Sequence, residues 1–147
     1  MGLLIDTGVL IRVERCADIQ LDFSPWTSYG DAAISVVSAS ELLVGVHRAS
    51  PDSRRIRRLA SVGAVLAALP ILDITLEVAR VHAELVATLR EQGQTLGAND
   101  AYIAATALAS GYALLTTDAD DFGRVPGLEV LPFVQPDSGT DSASPKP

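Results

Sequence analysis

The stretch Gly97–Phe122, "GANDAYIAATALASGYALLTTDADDF", decides the fold. It reads as a helix from about Asn99 to Ser110 followed by a strand near Ala113 to Thr116, both apolar, with Asp100, Asp118, Asp120 and Asp121 set around them. Outward from this pair the same alternation recurs. Leu3 to Ile5 reads as a strand running into a helix near Gly8 to Arg15, and an irregular stretch through "DFSPWTSYGD" follows. A second strand at about Ala32 to Val36 leads into a helix from Ser38 to about Ala49, which "SPDSRR" breaks. The next helix spans about Asp52 to Leu69 and ends at Pro70, which can neither donate to a helix nor fit inside one.

A short strand around Ile71 to Ile74 precedes an amphipathic helix from about Leu76 to Gln92, with Val78, Val81, Leu85 and Leu89 on one face. A last strand lies near Leu128 to Leu131. Strands alternating with helices in this way predict an α/β domain whose mostly parallel central sheet is covered by helices on both faces. The domain is expected over residues 1–134. The remainder, "QPDSGTDSASPKP", is rich in Pro, Ser and Asp and is expected to be a disordered tail over 135–147.

At 147 residues the chain suits one domain, long enough to bury roughly two thirds of its unfolded surface. The single cysteine, Cys16, excludes an internal disulfide framework and a cysteine-based zinc site, and it fits a reducing cytoplasm. The longest apolar run, Leu59 to Leu72, is interrupted by Pro70 and is shorter than the roughly 18 residues a membrane span needs. The start, "MGLLIDTGVLIRVER", has no basic leader and carries Asp6 within its apolar run, so no signal peptide is expected. A soluble cytoplasmic protein with no membrane partner is the expectation. The net charge of −7 argues against binding nucleic acid by bulk charge alone, but ten of the eleven basic residues are arginine, and Arg54, Arg55, Arg57 and Arg58 cluster just beyond Arg48.

In a parallel α/β sheet, chemistry gathers at the carboxyl ends of the strands. Four acids fall on that edge: Asp6 at the end of the first strand, Glu41 in the first turn of the helix after the second, Asp100 at a helix start, and Asp118 after the "YALLTT" strand. Singly, each has a structural role open to it. Asp6-Thr7 would cap a helix, Ser38-Ala-Ser-Glu41 matches a capping box, Asp100 would complement a helix dipole, and Asp118, Asp120 and Asp121 would make turns. Together they are harder to explain that way. Two carboxylates ~4 Å apart repel by about 4 kcal/mol at an effective dielectric of 20, so a converging set needs protons or cations. An all-oxygen set suits a hard ion, Mg²⁺ or Mn²⁺, and such ions serve phosphodiester cleavage.

Other chemistries find less support. His47 and His82, the only histidines, lie inside predicted helices rather than near a strand end, where a Ser-His-Asp site would need one. Neither glycine-rich phosphate motif occurs. Phosphoaspartate receivers need a lysine at a late strand end, and the only lysine is Lys146; a haloacid-dehalogenase-like phosphatase would want D-x-D where the chain reads Asp6-Thr7-Gly8. Cys16 reads as packing, and Trp26, Tyr29 and Tyr102 are assigned no role. The arginine cluster reads either as a solvated helix face or as a contact for phosphates or an acidic partner.

"LLIDTGVLI" (Leu3–Ile11), "ISVVSASELLVG" (Ile34–Gly45), "NDAYIAATALASG" (Asn99–Gly111) and "LLTTDADDF" (Leu114–Phe122), closed by "VPGLEVLPF", resemble the PIN domain, and more narrowly the VapC toxins of bacterial toxin–antitoxin pairs. The resemblance runs from Leu3 to about Phe133. It implies a three-layer α/β/α sandwich and a Mg²⁺-dependent endoribonuclease cutting structured RNA such as tRNA or rRNA, with Mn²⁺ as a possible substitute. By motif, Asp6, Glu41, Asp100 and Asp118 would be the catalytic, metal-holding quartet, Thr116 the small hydroxyl before the fourth acid, and Asp121 a sharer or alternative for the fourth position. It further implies a homodimer silenced by a cognate VapB antitoxin. The rival expectations are a non-catalytic interaction module and a DNA nuclease with the same metal chemistry.

Overall fold

The computed structural model describes residues 1–15 and 23–134. Five strands, β1 (Leu3–Ile5), β2 (Ala32–Ser35), β3 (Ile71–Leu72), β4 (Ala113–Thr116) and β5 (Val130–Pro132), form one sheet in the order β3-β2-β1-β4-β5, with every pair parallel. The three inner strands are short and apolar because both of their faces are covered, the usual sequence of a parallel core strand. Alternation sorts their side chains between two layers. Leu3, Ile5, Ala113 and Leu115 face Val9, Leu10, Leu42, Val46 and Val62, from helices α1 (Thr7–Arg15), α2 (Val36–Arg48) and α3 (Asp52–Ala68). Leu4 and Leu114 face Leu85, Leu89, Ile103, Ala104 and Ala107, from α4 (Leu76–Glu91) and α5 (Ala98–Ser110), and the fully buried Phe122 of the short helix α6 (Ala119–Phe122). The expected three-layer sandwich is the fold.

Strand order places the site. The chain steps outward from β1 through β2 to β3, then returns to the opposite side of β1 with β4 and β5. That reversal opens a crevice at the carboxyl ends of β1 and β4, the position where doubly wound sheets bind ligands. Register levels the two ends, since Ile5 pairs with Leu115 and the Asp6 N–H donates to the Leu115 carbonyl at 2.9 Å. Asp6 and Thr116 therefore leave the sheet side by side.

Several boundaries differ from expectation. Helix α2 starts at Val36, capped by the Ser35 hydroxyl accepting from Val37 N–H at 3.1 Å. Ser38 and Glu41 are thus inside the helix, Glu41 in its second turn rather than its first, and no capping box forms. The irregular stretch contains a 3-10 helix at Ser24–Tyr29, with Pro25 in its first turn. The last strand lies two residues beyond its expected start, because Gly127, at φ 79°, turns the chain first. Helix α5 ends as its sequence suggests, with Gly111 left-handed at φ 67° and Tyr112 N–H bonded back to Ala107. No helix among the described residues is long and apolar enough to cross a membrane. The expectations for Cys16 and for the 135–147 tail lie outside the described residues.

Candidate active site

Asp6 is 5% exposed and held at both oxygens. Its Oδ1 accepts from Thr7 N–H at 2.8 Å, and its Oδ2 accepts from the Thr116 hydroxyl at 2.7 Å. A capping side chain would reach the second or third N–H of the helix; this one is turned to the neighbouring strand end. Thr116, fully buried, also accepts the Asp118 N–H at 2.9 Å, so one hydroxyl ties the first acid to the fourth. Burial pushes the Asp6 carboxyl above the ordinary 3.8; the bonds from Thr116 and Thr7 offset part of this, and the nearby Glu41 and Asp118 add to it.

Asp100 lies in the first turn of α5, part-buried beside Gly97. Its carboxyl is pushed up to about 6, first by burial and then by repulsion from Asp6, Glu41, Asp118 and Asp121. The four acids singled out in the sequence therefore share one electrostatic field, although they come from four separate segments. Glu41 reaches it from α2, its Oε1 2.9 Å from the Thr7 hydroxyl. Asp118 is exposed at the N-cap position of α6 without capping it. Asp121 also repels Asp100, but unlike the other four it is paired with a cation, Arg124, at 3.3 Å. Among the described residues no cation pairs with Asp6, Glu41, Asp100 or Asp118.

The donor chemistry, carboxylate and hydroxyl oxygens alone, fits a hard divalent ion. Among the described residues no three His, Cys, Asp or Glu side chains are placed closely enough to hold one together. Asp6 is locked and Glu41 is held by the Thr7 hydroxyl, whereas Asp100 is part-buried and Asp118 is exposed, which leaves those two room to turn.

Sequence reasoning gave Thr7 and Ser38 only capping roles. The Thr7 hydroxyl is 2.9 Å from Ser38 Oγ as well as from Glu41. Gly8 also has a reason: a Cβ there would lie 2.6 Å from Thr117 Oγ1, so a larger residue would force the Thr117 side chain to turn away. Of the other candidates, His47 is exposed on α2, and His82 stacks on Tyr102 at 3.8 Å, joining α4 to α5. Arg58 is structural, bonded to Glu14 at 3.0 Å and the Gly45 carbonyl at 3.3 Å, and Arg55 pairs with Asp52. Arg54 and Arg57 are exposed on the same helix.

A family model described as the PIN domain matches residues 3–128, a span that contains every acid above. Ribonuclease VapC1 of Rickettsia felis is 40% identical over 131 residues, covering 89% of this chain and 96% of that protein. The chain belongs to the PIN domain family, as a VapC-type member. Solved VapC-type structures agree. VapBC-5 of Mycobacterium tuberculosis, a member of the VapBC family of toxin-antitoxin systems, matches with a TM-score of 0.74 at 32% identity, covering 90% of this chain and 98% of that one. VapBC2 of Rickettsia felis, solved with a fragment of promoter DNA, shares the fold with a TM-score of 0.81 at 22% identity, covering 91% of this chain and 100% of that one.

Proposed function

We propose that this VapC-type protein is a divalent-metal-dependent endoribonuclease toxin that cuts structured RNA, tRNA or rRNA. One observation carries the reading: Asp6, Glu41 and Asp118 crowd the Asp100 carboxyl on a single rim, and among the described residues no cation pairs with any of the four, so a positive charge is what the site wants. These four acids would hold Mg²⁺, or Mn²⁺ in its place. The bound ion supplies water activation and stabilises charge developing on the phosphate. The chain's own part is positional. Thr116 fixes Asp6, Asp118 is tied to the same hydroxyl, and Asp100 comes in from α5. Asp118 is the better fourth ligand, because Asp121 is engaged by Arg124. Arg54 and Arg57 would contact the RNA backbone.

The antitoxin follows from the relatives. Their structures are toxin–antitoxin complexes, which supports a VapB-type partner, and a homodimer is proposed with it. The test is cleavage of matched RNA and DNA by wild type and Asp6→Asn, with and without Mg²⁺. RNA cleavage that needs both Mg²⁺ and Asp6 is expected. Cleavage of DNA alone would make the protein a DNA nuclease; failure to cut either, with no stabilisation by Mg²⁺, would make it a non-catalytic module.

A further inference from the structure

Thr7 stands between two of the acids. Its N–H donates to Asp6 Oδ1 at 2.8 Å, and its hydroxyl is 2.9 Å from both Glu41 Oε1 and Ser38 Oγ. The Thr7–Ser38 half of the cluster is shut away from water, with Thr7 5% exposed and Ser38 fully buried, while Glu41 is part-buried. A threonine hydroxyl carries one proton, and an ionised carboxylate can only accept. That proton therefore goes to Glu41, and Ser38, which has a proton of its own, donates to Thr7 Oγ1. In this order every atom is satisfied, in keeping with the absence of unpartnered buried side-chain N or O atoms among the described residues.

We propose that Thr7 is a positioning residue that sets Glu41 against Asp6, with Ser38 fixing the direction of the Thr7 hydroxyl. Two features suit it to the task. Its branched side chain has few rotamers, so the hydroxyl direction is stiff. Thr7 is also the first residue of α1, with no earlier helical turn offering a carbonyl to compete for the hydroxyl, which is free to reach across to α2. Asp6 is already fastened at both oxygens, so a bond from its immediate neighbour brings Glu41 into the same fixed frame.

The proposal rests on the metal-dependent reading, and its test separates the two. Full-length wild type, Thr7→Val, Thr7→Ser and the double variant Thr7→Val/Ser38→Ala are titrated with Mn²⁺ by calorimetry without RNA, then assayed for RNA cleavage over a range of Mg²⁺. Thr7→Val is expected to weaken Mn²⁺ binding about 10- to 100-fold, the usual effect of losing a group that orients a ligand. Thr7→Ser restores affinity to within a few-fold. The double variant removes donor and acceptor together, so no buried serine oxygen is stranded; it keeps the fold and still shows the loss. In cleavage, the Mg²⁺ concentration for half-maximal rate rises while the KM for RNA stays. If Thr7→Val or the folded double variant binds Mn²⁺ as wild type does, the positioning role is overturned. If wild type itself takes up no Mn²⁺ and cuts no RNA, the metal reading falls first and the positioning role with it.

Discussion

Replacing Asp100 with asparagine should stabilise the metal-free protein. In the folded chain the Asp100 carboxyl titrates at about 6 against an ordinary 3.8, raised by burial and by the acids around it. Below the ordinary value both folded and unfolded chains hold the proton, and no penalty exists. As pH rises from there to about 6 the unfolded chain gives up its proton more readily than the folded one, and stability is lost throughout that window. Above it the penalty is complete. At about 1.4 kcal/mol per unit the shift corresponds to roughly 3 kcal/mol, which solvent screening at this partly open position reduces to about 1–2 kcal/mol. Against this, asparagine gives up the favourable charge at the start of α5, worth about 0.3–1 kcal/mol. A net gain of about 1 kcal/mol remains, or about 2–4 °C in melting temperature for a chain of this size. Calorimetry at pH 7.5 in chelator should show that rise, and the difference should fade by about pH 4. Saturating Mg²⁺ should reverse the order, stabilising wild type and not the variant. A variant that melts lower than wild type in chelator, or a gain unchanged by acid, would refute the reasoning.

Thr116→Val removes a donor from Asp6 Oδ2 and an acceptor from Asp118 N–H in a fully buried place. Chemical denaturation should show a loss of about 1–3 kcal/mol, and RNA cleavage should fall at least about tenfold. Because one of the bonds that lowers the Asp6 pKa is gone, the deficit should be larger at pH 6 than at pH 8. Phe122→Ala empties a fully buried site in the layer under α4 and α5 and should cost about 3–5 kcal/mol by the same measurement, a smaller cost meaning that the site collapses to fill the space. Among the arginines, Arg58→Ala should lower stability through its lost bonds to Glu14 and Gly45. Arg54→Ala and Arg57→Ala should leave stability within about 0.5 kcal/mol and each flatten the salt dependence of RNA binding.

Much of the fold was legible because its signals are local. A short apolar run such as Ala113–Thr116, too short for a helix and set off by Gly111 before it and Asp118 after it, reads as a buried parallel strand, and Pro70 and Gly111 punctuate helices by their own backbone chemistry. The acids were legible as a group through strand-end logic and motif resemblance. Local signals failed where several readings competed. "SVVSASE" holds three serines, and only the sheet, by ending β2 at Ser35, selects which one caps α2. Helix α6 is four residues long, too brief for periodicity to reveal. The contacts of Thr7 with Ser38 and Glu41 span 31 and 34 positions, so no spacing within one element announces them. Strand order, and hence the adjacency of Asp6 and Thr116, is likewise a tertiary property.

The central claim is that these four carboxylates make an RNA-cutting centre. Sequencing RNA ends after induced expression of wild type and Asp6→Asn tests it most directly. The account predicts new ends bearing a 5′-phosphate at a defined position in a structured RNA, present with wild type and absent with the variant. Identical end profiles for the two proteins would contradict it.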